Sequence, residues 1–411
     1  MIEVNKKRLI EKLNELGKTG FIEDGTRTRL FATDEDKEGR DLIVSWMKEL
    51  FMDVKIDKIG NIFGIWQNNE NKNKAPIMTG SHVDSVINAG KYDGCLGIVA
   101  GLEIVKSLQE ENFRPKRPIV VAVFSNEEGI RYQPDMMGSF VYAGGLDVDE
   151  ALKTQGIDGT NLGDELERIG YLGEEDPGFI KPKAFVELHI EQGPIMDSEN
   201  ISIGAVENLQ GISWQKIKVE GLANHAGTTP TNLRKDAGLA ASKINVFLRK
   251  LCHESKNAKT VATVGTMDFK PNGINQIPSE AIFTIDLRNP DREILKDHEK
   301  DLNDYIEKLE KEDGVNISKK RLAYFDPIIF DKDIVKVIEE SAQNRKYAYK
   351  KMTSGAGQDA QMLAKIVPTA MIFIPSVEGI SHNPDEYSKN EDIFKGANVL
   401  LDVISQYSLK K

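Results

Sequence analysis

A chain of 411 residues, 40% hydrophobic and 29% charged, is longer than one hydrophobic core supports, so two globular domains are expected and the composition argues against a disordered, fibrous or membrane chain. Lys+Arg 54 against Asp+Glu 65 gives a formal net charge of -11, which disfavours nucleic acid and membrane surfaces as partners and points to a small molecule. The two cysteines, Cys95 and Cys252, form no CxxC pair, so they support neither a disulfide framework nor a thiolate zinc site, and they fit a reducing, cytoplasmic address.

In chain order, Leu9, Ile10, Leu13 and Leu16 recur at helical spacing among lysines and glutamates between Met1 and Lys18, the pattern of an amphipathic surface helix and not of a signal peptide. No apolar run reaches the roughly 18 residues needed to span a bilayer. Leu42, Ile43, Trp46, Met47, Leu50 and Phe51 mark a second helix. Apolar runs at Ala75–Thr79 and Ile119–Phe124 read as buried strands, each passing directly into polar residues in "MTGSHVDS" and "VAVFSNEEG". Gly94–Leu108 lies between them with helical spacing and is long enough for a crossover helix. This alternation predicts an α/β fold, in which ligands sit beyond the carboxyl ends of the strands. From Gly211 the texture changes. "ISWQKIKVEG" alternates, "RKDAGLAASKINVFLRKLCHES" is an amphipathic helix, "EAIFTIDLRNP" is a strand, and a charged helix surrounds Asp291–Glu312. After Pro327 the core texture returns in "TAMIFIP". The expected organisation is a discontinuous domain of residues 1–210 and 329–411, with a mostly parallel mixed sheet flanked by helices, interrupted at 211–328 by an α+β insert with a small antiparallel sheet.

Four of the six histidines, His82, His189, His225 and His382, lie in polar, glycine-containing turns. Neutral imidazole is a leading ligand for zinc and its neighbours, and carboxylates bridge pairs of such ions. His82 follows the first strand, with Asp84 two residues on, placed to hold the other ring nitrogen. Asp93 sits in a glycine-flanked turn before a helix. Glu127 and Glu128 end the second strand, and two adjacent carboxylates are either both solvated or neutralised by a cation. Alternation along an extended backbone would aim one at a metal and leave the other as a general base. Taken singly, each residue has an ordinary alternative, because loop histidines pack or face water and acidic pairs are solvated. The ordered combination is what raises them above that background. His253 and His298, in charged helical segments, keep the ordinary reading.

Together the strings "GSHVDSVINAGKYDGCLG", "FSNEEGIRY", "ELHIEQGPIMD", "GLANHAGTTPTNLRKDA", "NQIPSEAIFTIDLR" and "SHNPDE" resemble the amidase branch of the aminoacylase/carboxypeptidase metallopeptidase superfamily. That branch includes N-carbamoyl-L-amino-acid hydrolases, allantoate amidohydrolases and bacterial-type β-ureidopropionases, and the resemblance spans essentially the whole chain. It implies two divalent metal ions (Zn, Mn, Co or Ni) bridged by Asp93, with His82 and His189 on one ion and Glu128 and His382 on the other. It implies Glu127 as general base and His225 as donor to the developing oxyanion, reaching into a partner subunit. Gln192, Asn275 and Arg288 match substrate-holding positions, with Arg288 clamping a carboxylate as a planar guanidinium can. Without the resemblance, Arg288 reads as a surface arginine or a structural ion pair. The insert would serve as lid and dimerisation domain of a homodimer, with His225, Asn275 and Arg288 acting across subunits.

Gly355 and Gly357 in "TSGAGQDAQML" fit a turn that opens a helix and leaves backbone N–H groups free for an anion or carbonyl. Gln358 departs from the family's usual GAGHDA, since glutamine donates a hydrogen bond but does not titrate. Cys95 reads as a buried small hydrophobe. The implied reaction is hydrolysis of the carbamoyl C–N bond of a small carboxylate-bearing ureido substrate, an N-carbamoyl-L-amino acid. The alternatives are allantoate cleavage to ureidoglycine or ureidoglycolate, then hydrolysis of N-carbamoyl-β-alanine or of N-acyl amino acids, and a catalytically silent binding protein.

Overall fold

The computed structural model describes residues 1–21 and 26–410. They divide into two compact units, Met1–Glu207 with Ile329–Lys411, and Asn208–Ile328. Fifteen strands follow one another among the described residues: β1 (Asp53–Ile56), β2 (Ile62–Trp66), β3 (Ile77–His82), β4 (Ile119–Phe124), β5 (Ala184–Ile190), β6 (Ile203–Leu209), β7 (Gly211–Glu220), β8 (Asn224–His225), β9 (Val261–Lys270), β10 (Gln276–Ile277), β11 (Glu280–Asn289), β12 (Asn316–Phe325), β13 (Ile328–Ile329), β14 (Tyr349–Ser354) and β15 (Thr369–Ile374).

The larger sheet runs β1-β2-β4-β3-β5-β15-β6-β13, with β14 beside β6. Its centre is parallel: β4 pairs with β3, β3 with β5 and β5 with β15 in one direction. β2 and β6 flank this centre antiparallel. Every residue of β3, β4, β5 and β15 is buried, as expected of parallel strands covered on both faces, so they read as unbroken apolar runs. The carboxyl ends of four parallel strands therefore open along one edge.

Local chemistry explains where the elements begin and end. Asn5 caps the helix Lys6–Leu16, which buries Leu9, Leu13 and Leu16. The second helix, Asp34–Glu49, begins a full two turns before its apolar stripe because Thr33 accepts from Asp36 N and three acidic residues occupy the first turn, all favourable at the positive end of a helix dipole. Phe51, expected inside that helix, lies beyond it at φ +55 and is exposed. The crossover helix Cys95–Glu110 is buried on nearly every turn.

In the second unit a four-stranded antiparallel sheet, β12-β7-β11-β9, is accompanied by a two-stranded ribbon of β8 and β10. Ile217, Val219, Phe283, Ile285 and Leu287 of the sheet pack with Ala241, Ile244 and Leu248 of the helix Ala237–Glu254 and Leu302 of the helix Arg292–Asp313. Strands β9 and β12 were not read from the sequence: β12 is exposed or half-buried along its length, and the alternation of β9, whose Ala262, Val264, Met267 and Phe269 pack on the core, is broken by a register shift at Gly265–Thr266. Among the described residues no helix is long and apolar enough to cross a membrane.

Candidate metal centre

His82 is the last residue of β3, and His189 is the penultimate residue of β5. Glu127 and Glu128 come three and four residues after the end of β4, and His382 eight residues after the end of β15. Parallel pairing thus gathers residues separated by up to three hundred positions in sequence at one sheet edge. Asp93 joins them from the turn that starts the crossover helix. The close approach of that turn to His82 depends on Gly94, whose φ is +64 and where a Cβ would stand 2.5 Å from the His82 carbonyl oxygen and 2.6 Å from its ring; only glycine suits both constraints.

The two oxygens of Asp93 face different partners. Oδ1 lies 3.1 Å from His189 Nε2 and 3.6 Å from His82 Nε2. Oδ2 lies 3.2 Å from His382 Nε2, which is in turn 3.6 Å from Glu128 Oε2. Glu127 Oε2 is 3.5 Å from His82 Nε2. Two ligand atoms each about 2.1 Å from a tetrahedral ion are roughly 3.4 Å apart, so these separations suit shared cations. Three sets of side chains offer ligand atoms within 4.8 Å of one another: His82, Asp93 and His189; His82, Glu127 and Glu128; Asp93, Glu128 and His382.

Hydrogen bonding fixes which ring nitrogen faces inward. His82 Nδ1 donates to the Asp84 carbonyl at 3.0 Å and His189 Nδ1 to the Ile190 carbonyl at 2.9 Å. Carbonyls only accept, so in the neutral rings each Nε2 carries the lone pair that could meet a metal; that of His82 is unpaired, whereas that of His189 accepts from Gly94 N at 3.3 Å. His82 Nε2 and Glu128 Oε1 are buried and have no hydrogen-bond partner among the described residues, an arrangement that costs free energy unless a cation takes them up. The donor set of imidazoles and carboxylates therefore fits a pair of divalent ions.

Two details differ from the sequence expectation. The Asp84 carboxylate stands 3.9 Å from His82 Nδ1 and does not orient the ring, a task its backbone carbonyl performs. Its oxygens instead accept from Glu127 N at 3.2 Å and Glu128 N at 3.1 Å. This clamp, with Asn126 at φ +53, breaks the extended alternation, so both glutamates face the cluster.

Charge crowding shifts the site's protonation. Burial alone would push Asp93 up, but hydrogen bonds from His189, His382 and His82 hold it well below the usual carboxylate range. Burial, reinforced by the charge of Glu128, pushes Glu127 well above its usual value despite His82. Glu128 is pushed up to about 8 by burial and by Asp93. The Asp93 contact raises His382 to about 9 against partial burial.

Gln192, at φ +56, donates from Nε2 to Asp93 Oδ2 at 2.9 Å and approaches His382 Nε2 at 3.2 Å. Buried Gln358 donates to Gln192 Oε1 at 2.8 Å, so it acts on the cluster through Gln192. Gly357 precedes it, and the helix that follows, Asp359–Leu363, does not leave its first amides free: Ala360 N donates to Glu187 Oε2 and Gln361 N to the Gln358 carbonyl. Glu187 also accepts from Ser81 Oγ at 2.6 Å. Sequence reasoning missed Glu187, although an acidic residue inside the apolar run "AFVELHI" was the signal available. Buried Cys95 is more than a small hydrophobe, since Arg29 donates to its sulfur at 2.9 Å.

His225, Asn275 and Arg288 belong to the second unit. His225 is exposed on β8, and its Nδ1 accepts from Gly227 N and Thr228 N, which leaves Nε2–H outward as a donor in the neutral ring. The Asn275 carbonyl accepts from Ala226 N beside it. Arg288 on β11 pairs with Asp286, with Nη2 2.7 Å from Oδ2. His298 is buried against Ser255 and Thr260, a packing role.

Residues 78–406 match the model of the Peptidase family M20/M25/M40. An N-carbamoyl-L-amino-acid amidohydrolase of Rhizobium meliloti is 37% identical over 401 residues, covering 98% of this chain and 96% of the relative. A ureidoglycolate hydrolase of Arabidopsis thaliana is 34% identical over 418 residues, covering 99% and 88%. The crystal structure of a hydantoinase/carbamoylase family amidase from Burkholderia multivorans superposes with a TM-score of 0.96 at 39% identity, covering 100% of this chain and 99% of that one. With a sheet edge that gathers the donor set of a dinuclear site, the chain belongs to the M20 peptidase family, in its hydantoinase/carbamoylase amidase branch, and is a hydrolase of carbon–nitrogen bonds.

Proposed function

We propose that the chain hydrolyses the carbamoyl C–N bond of N-carbamoyl-L-amino acids, giving amino acid, ammonia and carbon dioxide with the net consumption of one water. The observation that carries this reading is the division of Asp93, one oxygen toward His82 and His189 and the other toward His382 beside Glu128. These five residues would hold two divalent ions, which when bound polarise a carbonyl and lower the pKa of water. Glu127 takes a proton from the attacking water and returns it to the leaving nitrogen. Gln192 is a hydrogen-bonding group on the Asp93 side of the cluster, held there by buried Gln358, with Gly357 before it. His225 Nε2–H is a donor suited to the oxyanion, and Asn275 and Arg288 recognise the substrate amide and carboxylate. We assign these three to a homodimer in which they serve the partner's site.

A ureido substrate derived from allantoate is the second reading, favoured by the near-equal identity to the Arabidopsis ureidoglycolate hydrolase. Ammonia release from N-carbamoyl-L-amino acids, N-carbamoyl-β-alanine, allantoate and ureidoglycolate, beside amino-acid release from N-acetyl amino acids, decides between them. Turnover of N-acetyl amino acids alone would overturn both.

A further inference from the structure

The segment between β15 and the final helix, Asn390–Leu409, carries His382, and little of that histidine's own packing holds it. Its side chain is 50% exposed, whereas that of Asp93 is 7% exposed, and its backbone lies at φ +52, a conformation non-glycine residues adopt at a cost. Something else must fix it beside Asp93. Glu386, four residues on and buried, reaches across to the Asp93 turn. Its Oε1 accepts from Tyr92 N at 3.0 Å and Asp93 N at 3.3 Å, and its Oε2 accepts from Ser381 Oγ at 3.0 Å. One carboxylate thus ties the backbone of Asp93 to the residue preceding His382. The neighbouring rings Tyr92 and Tyr387 meet edge to face at 6.2 Å, a second tie between the same segments. Gly90 makes room for the arrangement: a Cβ there would stand 2.3 Å from Glu386 Oε1 and 2.4 Å from its Cβ.

We propose that Glu386 is a positioning residue that sets the separation of His382 from Asp93 and thereby completes the second of two metal sites. This rests on the dinuclear reading above. Buried charge-assisted hydrogen bonds to backbone amides are among the stronger polar contacts, and a ligand displaced by about 1 Å no longer meets the distance tolerance of a metal site. The first site takes His82 and His189 from β3 and β5, and the Asp93 it shares is held also by the start of the crossover helix, where Cys95 N donates to the Asp93 carbonyl and Leu96 N to that of Tyr92, so it depends on Glu386 less than the second.

Equilibrium dialysis of the full chain against Mn2+, with elemental analysis, separates these possibilities. The unaltered protein is expected to bind two ions, and failure to do so would reject the dinuclear reading without bearing on Glu386. Glu386→Ala is expected to retain one ion within about threefold of its unaltered affinity and to bind the other at least tenfold more weakly. Glu386→Gln, which keeps an oxygen for the Tyr92 and Asp93 amides, is expected to stay within threefold of the unaltered protein at both. Gly90→Ala, by displacing the Glu386 carboxylate, should reproduce the loss seen in Glu386→Ala. Two ions at unaltered affinity in the alanine variants, equal weakening of both ions, or a glutamine variant as weak as alanine would each overturn the proposal. If Glu386→Ala does not fold, Gly90→Ala decides. Failure of both to fold would make Glu386 a support of the whole fold and overturn a role confined to His382.

Discussion

Glu127→Gln is the sharpest perturbation of the proposed chemistry, because the structure allows Glu127 two roles. Its Oε2 is 3.5 Å from His82 Nε2 and shares a possible ligand set with His82 and Glu128, so it could be a ligand instead of a base. The substitution preserves shape, and the loop that carries it is held by its backbone N–H to Asp84, which the change leaves in place. Burial and the charge of Glu128 raise this carboxyl well above its usual value, and nearby cations would bring it back toward neutrality, where a group that first takes and then returns a proton works best. Glutamine can do neither. General acid–base catalysis contributes about 10²–10⁴-fold, so kcat for ammonia release should fall by that factor, a barrier increase of roughly 3–5 kcal/mol at 1.36 kcal/mol per decade. Metal content by elemental analysis should stay at the unaltered value. Turnover within tenfold of normal would refute the base assignment, and loss of an ion together with activity would make Glu127 a ligand.

Asp84→Ala leaves two backbone amides without their acceptor, at about 1–3 kcal/mol each; it should lower the unfolding temperature and cut turnover by more than about 100-fold if the clamp sets the glutamates. Asp84→Asn, retaining one acceptor oxygen, should fall between, and a normal alanine variant would remove the clamp from the mechanism. With His382 at about 9 and Glu128 at about 8, the protein stripped of metal holds protons on both at neutral pH. Since metal ligands must be deprotonated, Mn2+ affinity should rise with pH up to about 9, with protons released on binding. Calorimetry in buffers of different ionisation enthalpy checks this, and buffer-independent heats would contradict it. Arg288→Lys should raise KM for carboxylate-bearing substrates about 10–100-fold with little change in kcat; an unchanged KM would confine Arg288 to its pair with Asp286.

Much of the catalytic framework was legible because parallel strands announce themselves twice, as unbroken apolar runs and as abrupt polar ends. "TAMIFIP" and the run Ile119–Phe124 became β15 and β4, and the residues following them entered the candidate site. The partners of backbone amides were not legible. Nothing in "GSHVDS" says whether Asp84 turns its carboxylate to a ring two residues away or to amides of Glu127 and Glu128 more than forty residues on; only the pairing of β3 with β4 decides it. Likewise the turn "GAGQDA" suggested free helix amides, but Glu187 on β5 supplies the acceptor from within the chain. Edge strands such as β12, "NISKKRLAYF", escape detection because neither face is fully covered.

The same contacts explain why the site is acidic well beyond its candidate ligands. Glu187, Asp359 and Glu386 are buried around Asp93, Glu127 and Glu128, and burial first, then neighbouring carboxylates, pushes Asp359 to about 8 and Glu386 to about 7. Among the described residues, His82, His189 and His382 are the groups that offset them directly within the cluster. A protein interior tolerates such crowding when the groups are neutralised by protons or by bound cations. Glu187 and Glu386 each receive backbone or hydroxyl donors, so their oxygens are engaged in holding the segments that bear His82 and His382. The candidate ligands keep unpaired inward-facing atoms, His82 Nε2 and Glu128 Oε1. Carboxylates satisfied by the chain, Glu187 and Glu386, thus build the frame; Asp359 is buried with both oxygens unpaired but stands outside the possible ligand sets, so it is the convergence of unpaired imidazole and carboxylate atoms within reach of one another, and not the number of buried acidic groups, that distinguishes a metal centre from an acidic surface.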